Sequence, residues 1–308
     1  MSNLTTSTLS TDFIVYIQKR FLERAKNNIM FKEGASQQAI PANSGVSMTF
    51  NRYTPLANTP SGQVLTEATV PTAQAVTNSQ VVATLVQYGG VLTVSDVLSS
   101  VSIDSQSVEK TDLLSTQMAE TIDNKIRDEL FSGFTVLYAN GRANLNAITA
   151  TDALTAKDVL RVRRNLFKNG TQAYDDGRYI GKVGADTTFD LMQDSTWVNA
   201  HTYKDGDNLY NAELGRLWNV RFLEANQNQK NEANATPVTC YSNFFHGKGA
   251  FATVDLDNMT SGLYVHQGGK QDTSNPLEQF ITIGWKTIFA VKTLNANFGI
   301  NLKTAANS

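Results

Sequence analysis

The sequence predicts an α+β protein laid out along one long helix. Three observations lead there. A single helical pattern runs from about Ser102 to Leu130; strand-like alternation stands on both sides of it, at residues 46–53 and again at 279–294; and 27 polar residues, Thr54 to Gln80, interrupt the early strands. With 308 residues, 41% hydrophobic and 18% charged, the chain has apolar surface enough for one large or two ordinary domains.

The helix comes first because everything else must fit it. Apolar residues recur at Leu114, Met118, Ile122, Ile126 and Leu130, every fourth position, with Ala119 beside them. Glu109, Lys110, Glu120, Asp123, Arg127 and Asp128 fall elsewhere around the axis, which makes a narrow apolar stripe on a polar rod. Asp104 or Ser105 is placed to cap the first turn, and Gly133 to release the chain at the far end. At ~1.5 Å per residue the rod is roughly 40 Å long. That is too long to sit inside a sphere made from half the chain, so flatter elements must be spread along it.

In chain order, residues 12–28 read as a short amphipathic helix with Phe13, Ile17, Phe21 and Leu22 on one side. Lys19, Arg20, Arg24, Lys26 and Lys32 outnumber Asp12 and Glu23, and this basic excess is either a solvated face or an arm touching an acidic partner. After Pro41, Val46, Met48 and Phe50 alternate with Ser47, Thr49 and Asn51, as in a half-buried strand. The stretch from Thr54 to Gln80 holds Pro55, Pro60 and Pro71, and a second strand pattern follows up to Gly89-Gly90. Two strands around a long polar segment describe an arm that projects and returns, ordered by another subunit, with Gly89-Gly90 as its pivot.

Beyond the long helix, Thr155 caps a helix that Asp158 closes as a capping box and that ends at Asn169-Gly170. Lys157, Arg161, Arg164 and Lys168 give it one basic face, turned to solvent, to a subunit or to DNA. A strand is expected at Tyr179 to Val183, a short helix at 185–194, an exposed loop at 199–208, a strand at Leu217 to Leu223 and a flexible loop at 226–237. In the tail, Ile281, Ile283, Trp285, Phe289 and Val291 share one face of a strand, and Phe298, Ile300 and Leu302 repeat the pattern. These late strands are expected to rejoin the sheet begun near Val46 and Val91. The region from 150 to 265 is then an insertion in a discontinuous body.

Composition excludes several classes of function. No apolar run is long enough to span a membrane. The first residues lack the basic and apolar regions of a signal peptide, so synthesis in the cytoplasm is expected. Cys240 is alone, so no disulfide framework is possible. A net charge of −2 argues against a polycation seeking nucleic acid.

Catalytic patterns are weak throughout. His201, His246 and His266 are read as lying in separate Gly- or polar-rich loops without metal-site spacing, and a surface or packing role is expected. Ser107-Val-Glu-Lys110 matches Ser-x-x-Lys with no companion motif. Gly247-Lys248-Gly249 lacks the rest of a phosphate loop, and Asp205-Gly-Asp207-Asn208 and Asp255-Leu-Asp257-Asn258 read as turns rather than cation sites. No cofactor, metal or catalytic residue is expected, and the combined absence favours a structural protein.

Ordered short motifs then point to a family. Ile40-Pro41-x-Asn43-x-Gly45, Phe50-x-Arg52-Tyr53-x-x-Leu56, Leu65-Thr66-Glu67-x-x-x-Pro71, Gln87-Tyr88-Gly89 and Ser95-Asp96-Val97-Leu98 occur in the first third. Leu154-Thr155-x-x-Asp158 with Arg163-x-x-Leu166, Asp190-Leu191-x-x-Asp194-x-x-Trp197, and Asn211-x-Glu213-Leu214-Gly215-Arg216 with Val220-Arg221-Phe222 follow. In this order, across almost the whole chain, they resemble the major capsid proteins of tailed bacteriophages, the family typified by the coat protein of the podophage N-four. Trp218-Asn219 stands where that family usually has glycines.

The resemblance implies the HK-97-type capsid fold: an N-terminal arm at 1–40, strands and an extended β-hairpin loop at 41–95, a peripheral domain with the spine helix at 96–150 and 266–308, and an inserted axial domain at 151–265. It implies a virion shell protein that assembles with itself into hexamers and pentamers, with a separate scaffolding protein, a portal, a decoration protein and weak contact with packaged DNA as its partners. Arg52, Tyr53, Leu65, Glu67, Pro71, Gly89 and Gly90 are the expected inter-subunit loop and hinge, and Lys157, Arg161, Arg164 and Lys168 the expected inner basic face. No lysine lies between Lys32 and Lys110, so no covalent weld through the extended loop is expected. Two alternatives stay open: an encapsulin-like cargo compartment, and a soluble serine hydrolase using Ser107 and Lys110.

Overall fold

A computed structural model describes residues 16–306 apart from 17, 25–28, 42, 55, 57–62, 72, 96, 98–105, 203–214, 226–230, 234–237, 258–261, 267–276 and 278. In order, the elements are β1 (Ser36–Ile40), β2 (Ser47–Tyr53), β3 (Asn78–Thr84), β4 (Val86–Ser95), α1 (Gln106–Gly133), β5 (Thr135–Tyr138), α2 (Ala156–Lys168), β6 (Tyr179–Val183), α3 (Ala185–Gln193) and α4 (Ser195–Thr202). After them come β7 (Arg216–Leu217), β8 (Val220–Glu224), β9 (Asn231–Ala233), β10 (Thr239–His246), β11 (Phe251–Leu256), β12 (Gly262–His266), β13 (Phe280–Thr293) and β14 (Gly299–Thr304).

Helix α1 is 28 residues long, about 42 Å at ~1.5 Å per residue. Leu114, Met118, Ile122, Ile126 and Leu130 are all buried, and they pack on Ile283, Trp285 and Phe289 of β13. Each such side chain contributes roughly 1.5–3 kcal/mol by leaving water. The stripe is wider than its apolar residues, because Thr111, Ser115 and Asp123 are buried with it. Gly133 is the last helical residue and does not have the positive φ expected of a helix exit. Its missing side chain makes room instead: a Cβ there would lie 2.0 Å from Thr293 Oγ1. The proposed caps Asp104 and Ser105 fall outside the described residues.

A five-stranded sheet carries α1. Its path is β1-β11-β13-β12, and β4 also pairs with β13. The ten-residue ladder from Phe280↔Ser95 to Phe289↔Val86 joins the late strand to the early one, as the alternating patterns predict. Strands β2 and β3, by contrast, form their own two-stranded sheet from Ser47↔Thr84 to Tyr53↔Asn78.

The second sheet has seven strands in the path β5-β14-β10-β6-β8-β7, with β9 on β10. Here the tail departs from expectation. Strand β14, with Ile300 and Leu302, lies between β5 and β10 in this sheet and does not join the sheet of β4. Conversely β11 and β12, inside the region read as an insertion, belong to the first sheet. Burial explains both: Ile300 and Leu302 pack with Val159, Val162 and Leu166 of α2, whereas Phe251 and Leu263 pack with α1.

Strand β10 serves both cores. Successive side chains of a strand point to opposite faces, so Phe244 enters the core under α1 and Phe245 the core under α2. The α2 core is closed by Trp197, which meets Phe222 edge-on at 5.3 Å.

Helix α2 is capped by Thr155 and ends as its residues predict, but the box is not closed, because the Asp158 carboxylate accepts from Asn140, the Thr155 hydroxyl and Arg161 and not from the Thr155 amide. Thr155 accepts from the Asp158 amide and donates to Asp158 Oδ2 at 2.7 Å. At the other end Gly170 has φ +70°, its amide donates to Phe167 O and that of Thr171 to Leu166 O, a Schellman motif. Three local expectations need correction. Residues 199–202 are helical, in α4, and not loop. Residues 231–233 form β9, because β10 offers them an edge. The single strand expected at 217–223 is a tight hairpin, β7 turning into β8 through Trp218-Asn219.

Candidate assembly surfaces

The hairpin of β2 and β3 is rooted in the body and bare beyond it. Met48, Phe50 and Leu85 pack with Ile40, Ala83, Val254 and Ala290 in a small cluster. The Leu85 amide donates to Val46 O at 2.8 Å, which fixes the point where the hairpin hands over to β4. Past Tyr53, the Thr54 amide still reaches Thr77 O at 3.0 Å. Then the apolar side chains lose their company: Leu56, Val64, Leu65, Val70 and Val76 are exposed, Val70 to 90%. Arg52, Tyr53, Glu67 and Pro71 are exposed too, with Glu67 in a turn. Exposed apolar residues concentrated on one segment mark an interaction surface more often than an isolated one does.

Gly89 and Gly90 lie elsewhere than the hinge reading requires. Both are inside β4, paired with Lys286 and Trp285 of β13. A Cβ on Gly89 would lie 2.8 Å from Trp285 O, and one on Gly90 would meet Gln117 Oε1 at 2.5 Å and Trp285 Nε1 at 2.9 Å. The space at Gly90 is where Trp285 donates to Gln117 of α1 at 3.0 Å, and that at Gly89 is closed by the backbone of β13. The change of direction at the root of the arm falls at Leu85, outside any glycine signal.

The basic helix face is also narrower than its spacing suggests. Lys157, Arg164 and Lys168 are exposed on α2, but Arg161 is half-buried and paired with Asp158 at 3.1 Å. Leu160 and Phe167 are exposed on the same helix, Phe167 to 78%, so the outer surface of α2 is mixed and not wholly basic. Its opposite side, Val159, Val162 and Leu166, is fully buried, which dictates this orientation.

The turn between β7 and β8 carries an unexpected conformation. Trp218 has φ +52° and Asn219 φ +61°, the left-handed pair of a two-residue hairpin turn, where glycine and asparagine are the easy occupants. A bulky aromatic residue is a costly one there.

Residues weighed for catalysis have structural employment. His246 ends β10 and is completely buried, contrary to a loop position; its Nδ1 lies 2.8 Å from the Tyr174 hydroxyl. His201 is in α4 and His266 at the end of β12, with side chains outside the described residues. Lys248 pairs with Asp175 at 3.0 Å and Asp255 with Lys32 at 3.2 Å. Asp205, Asp207, Asn208 and Asn258 fall outside the described residues, as does the side chain of Ser107. Among the described residues no three His, Cys, Asp or Glu side chains cluster as a metal site, and no helix is long and apolar enough to cross a membrane.

No protein-family model matches the sequence, and no curated protein is similar to it in sequence. Solved structures are similar along nearly the full length. The capsid of Ralstonia phage GP4 superposes with a TM-score of 0.71 at 11% identity, over 91% of this chain and 92% of that one. The capsid asymmetric unit of cyanophage Pam1 gives 0.69 at 15% identity, over 92% and 93%. That of cyanophage P-SCSP1u gives 0.67 at 16%, over 91% and 89%.

The chain has the HK-97-type capsid fold. In this fold α1 lies along the first sheet, and the hairpin of β2 and β3 stands as a sheet of its own.

Proposed function

We propose that the protein is a major capsid protein, which self-assembles into the icosahedral head shell around a phage's double-stranded DNA genome. The observation that carries this reading is the arm: a hairpin rooted in the body whose distal apolar residues Leu56, Val64, Leu65, Val70 and Val76 find no cover among the described residues. A closed shell supplies that cover, since each copy can lay its arm across the next and ring closure multiplies many modest interfaces. The role is structural rather than catalytic.

In this reading α1 with the first sheet is the peripheral body, and α2 to α4 with the second sheet is the axial body that meets its copies around five- and six-fold axes. The two bodies interleave along the sequence, because β14 returns to the second sheet. Arg52, Tyr53, Leu65, Glu67 and Pro71 are the contact residues of the arm. Lys157, Arg164 and Lys168, exposed on α2, suit weak contact with packaged DNA. A separate scaffolding protein and a portal complete the assembly, and the arm's lack of lysine argues for a shell held without covalent welds.

Negative-stain microscopy with size-exclusion chromatography tests the proposal, on the protein expressed alone and with a neighbouring scaffold gene. Closed shells, or rings of five and six copies, are the expected outcome. A strict monomer under both conditions would overturn it.

A further inference from the structure

Residues 18–24 and 29–40 form a strap that ties the two bodies together. Its helical part, 18–24, lies along α1: Ser115 donates to Phe21 O at 2.8 Å, and Arg20 and Arg24 reach Asp112 at 2.7 and 2.8 Å. Its far end, β1, runs parallel to β11 in the first sheet. Between them the turn at 31–34 is pressed against the second sheet and held from several elements. Asp123 of α1 accepts from the Phe31 amide at 2.7 Å. Lys182 of β6 donates to Phe31 O and Glu33 O at 2.6 and 2.8 Å. Tyr174 donates to Gly34 O at 2.7 Å, and Arg221 of β8 pairs with the Glu33 carboxylate.

Two basic groups are sealed beneath this turn. Lys182 is 1% exposed, with its ammonium 5.6 Å from the Phe31 ring centre and 5.0 Å from that of Phe251. His246 of β10 is packed among Phe134, Tyr174 and Phe251. With its Nδ1–H donated to the Tyr174 oxygen, His246 Nε2 remains a bare acceptor, buried and unpartnered. A proton placed on Nε2 creates a buried N–H with nothing to receive it. The strap is what keeps water away: a Cβ on Gly34 would lie 2.5 Å from the His246 ring.

We propose that Lys182 and His246 are a proton-operated latch, whose charging favours a state in which residues 31–34 lift off the second sheet and uncouple the two bodies. The charged and titratable groups facing the pair are Asp123 on α1, Glu33 on the strap with its partner Arg221 on β8, and Tyr174. Burial pushes Lys182 down to about 7, against the pull of Asp123 and Glu33. Burial, aided by the nearby Lys182, holds His246 well below the ordinary histidine range. Burial and the charge of Glu33 push the Tyr174 phenol up, so it stays protonated throughout.

The sign follows from which state binds more protons. Lifting the turn returns Lys182 and His246 to water and to ordinary values near ~10.4 and ~6.5. From about pH 10 down to about 7 the open state takes up a proton on Lys182 that the closed state refuses; below about 6.5 the same holds for His246. In each interval the closed-to-open ratio falls about tenfold per pH unit. The latch is tightest in base and weakens in two steps on acidification.

Hydrogen–deuterium exchange of the whole protein, corrected for the intrinsic effect of pH, tests this by comparing residues 29–40 with β13. Between about pH 9 and 7 the protection of 29–40 should fall at least tenfold relative to β13, and it should fall again by about pH 5.5, a range above ordinary carboxylate titration. Lys182→Met should abolish the first fall and keep the second; His246→Gln should do the reverse. Wild-type protection that does not change with pH relative to β13 overturns the proposal without any variant, and so does a first fall that survives in Lys182→Met.

Discussion

The arm and the body of this protein are made of similar residues and treat them in opposite ways. In the body, Leu114, Met118, Ile126 and Leu130 vanish between α1 and β13; in the arm, Val64, Leu65 and Val70 stand in solvent. Sequence spacing separates the two. Every-fourth-residue placement puts apolar groups on one side of a helix, where a sheet can cover them, while the scattered apolar residues of the arm define no face. The comparison teaches that the fold is complete at one end and waiting at the other. Apolar surface is a stabilising force in the first region and, in the proposed shell, an address in the second.

Replacing residues 56–76 with a short glycine turn should break that comparison most severely. Closed shells should disappear from micrographs, while the melting temperature of the subunit stays within about a degree, because the described residues of this stretch are all exposed. Ile126→Ala should do the converse. It opens a cavity under the spine helix and should cost roughly 2–5 kcal/mol in denaturant unfolding. Thr155→Ala removes a cap from α2 and should cost about 1 kcal/mol by the same measurement. The smallest effect is a gain: Trp218→Asn combined with Asn219→Gly supplies the residues a left-handed two-residue turn prefers, and should stabilise the β7–β8 hairpin by roughly 0.5–1 kcal/mol.

The sequence exposes what is periodic and local. The stripe of α1, the Thr155 cap and Schellman exit of α2, and the bounds of β6 appear in the structure where the residues place them, since each depends on neighbours within a turn or two. Partner choice is different. Nothing in Phe298-x-Ile300-x-Leu302 states which sheet receives it, because two cores compete and only the position of β10 decides. Gly89 and Gly90 misled for a related reason. A glycine is silent about whether it grants freedom or merely space, and here Trp285, almost 200 residues away, claims the space. The arm itself is legible as a long stretch without apolar periodicity between two strand patterns, but the burial of Lys182 beneath the strap is not. Lys182 stands in an ordinary strand pattern, and its burial arises from residues 31–34 folding over it.

One consequence of the strand order concerns how the chain reaches its fold. Strand β14 lies between β5 and β10, so the second sheet stays divided until residues 299–304 arrive. During synthesis the ribosome releases α2 and β10 long before the strand that unites them, and for that interval Phe244 and Phe245 have half their surroundings missing. Contacts of this sequence separation are slow to form, and an intermediate with unpaired strand edges is prone to aggregate. The order of the strands therefore makes the last residues of the chain, rather than any of the earlier strands, the ones that complete the second sheet.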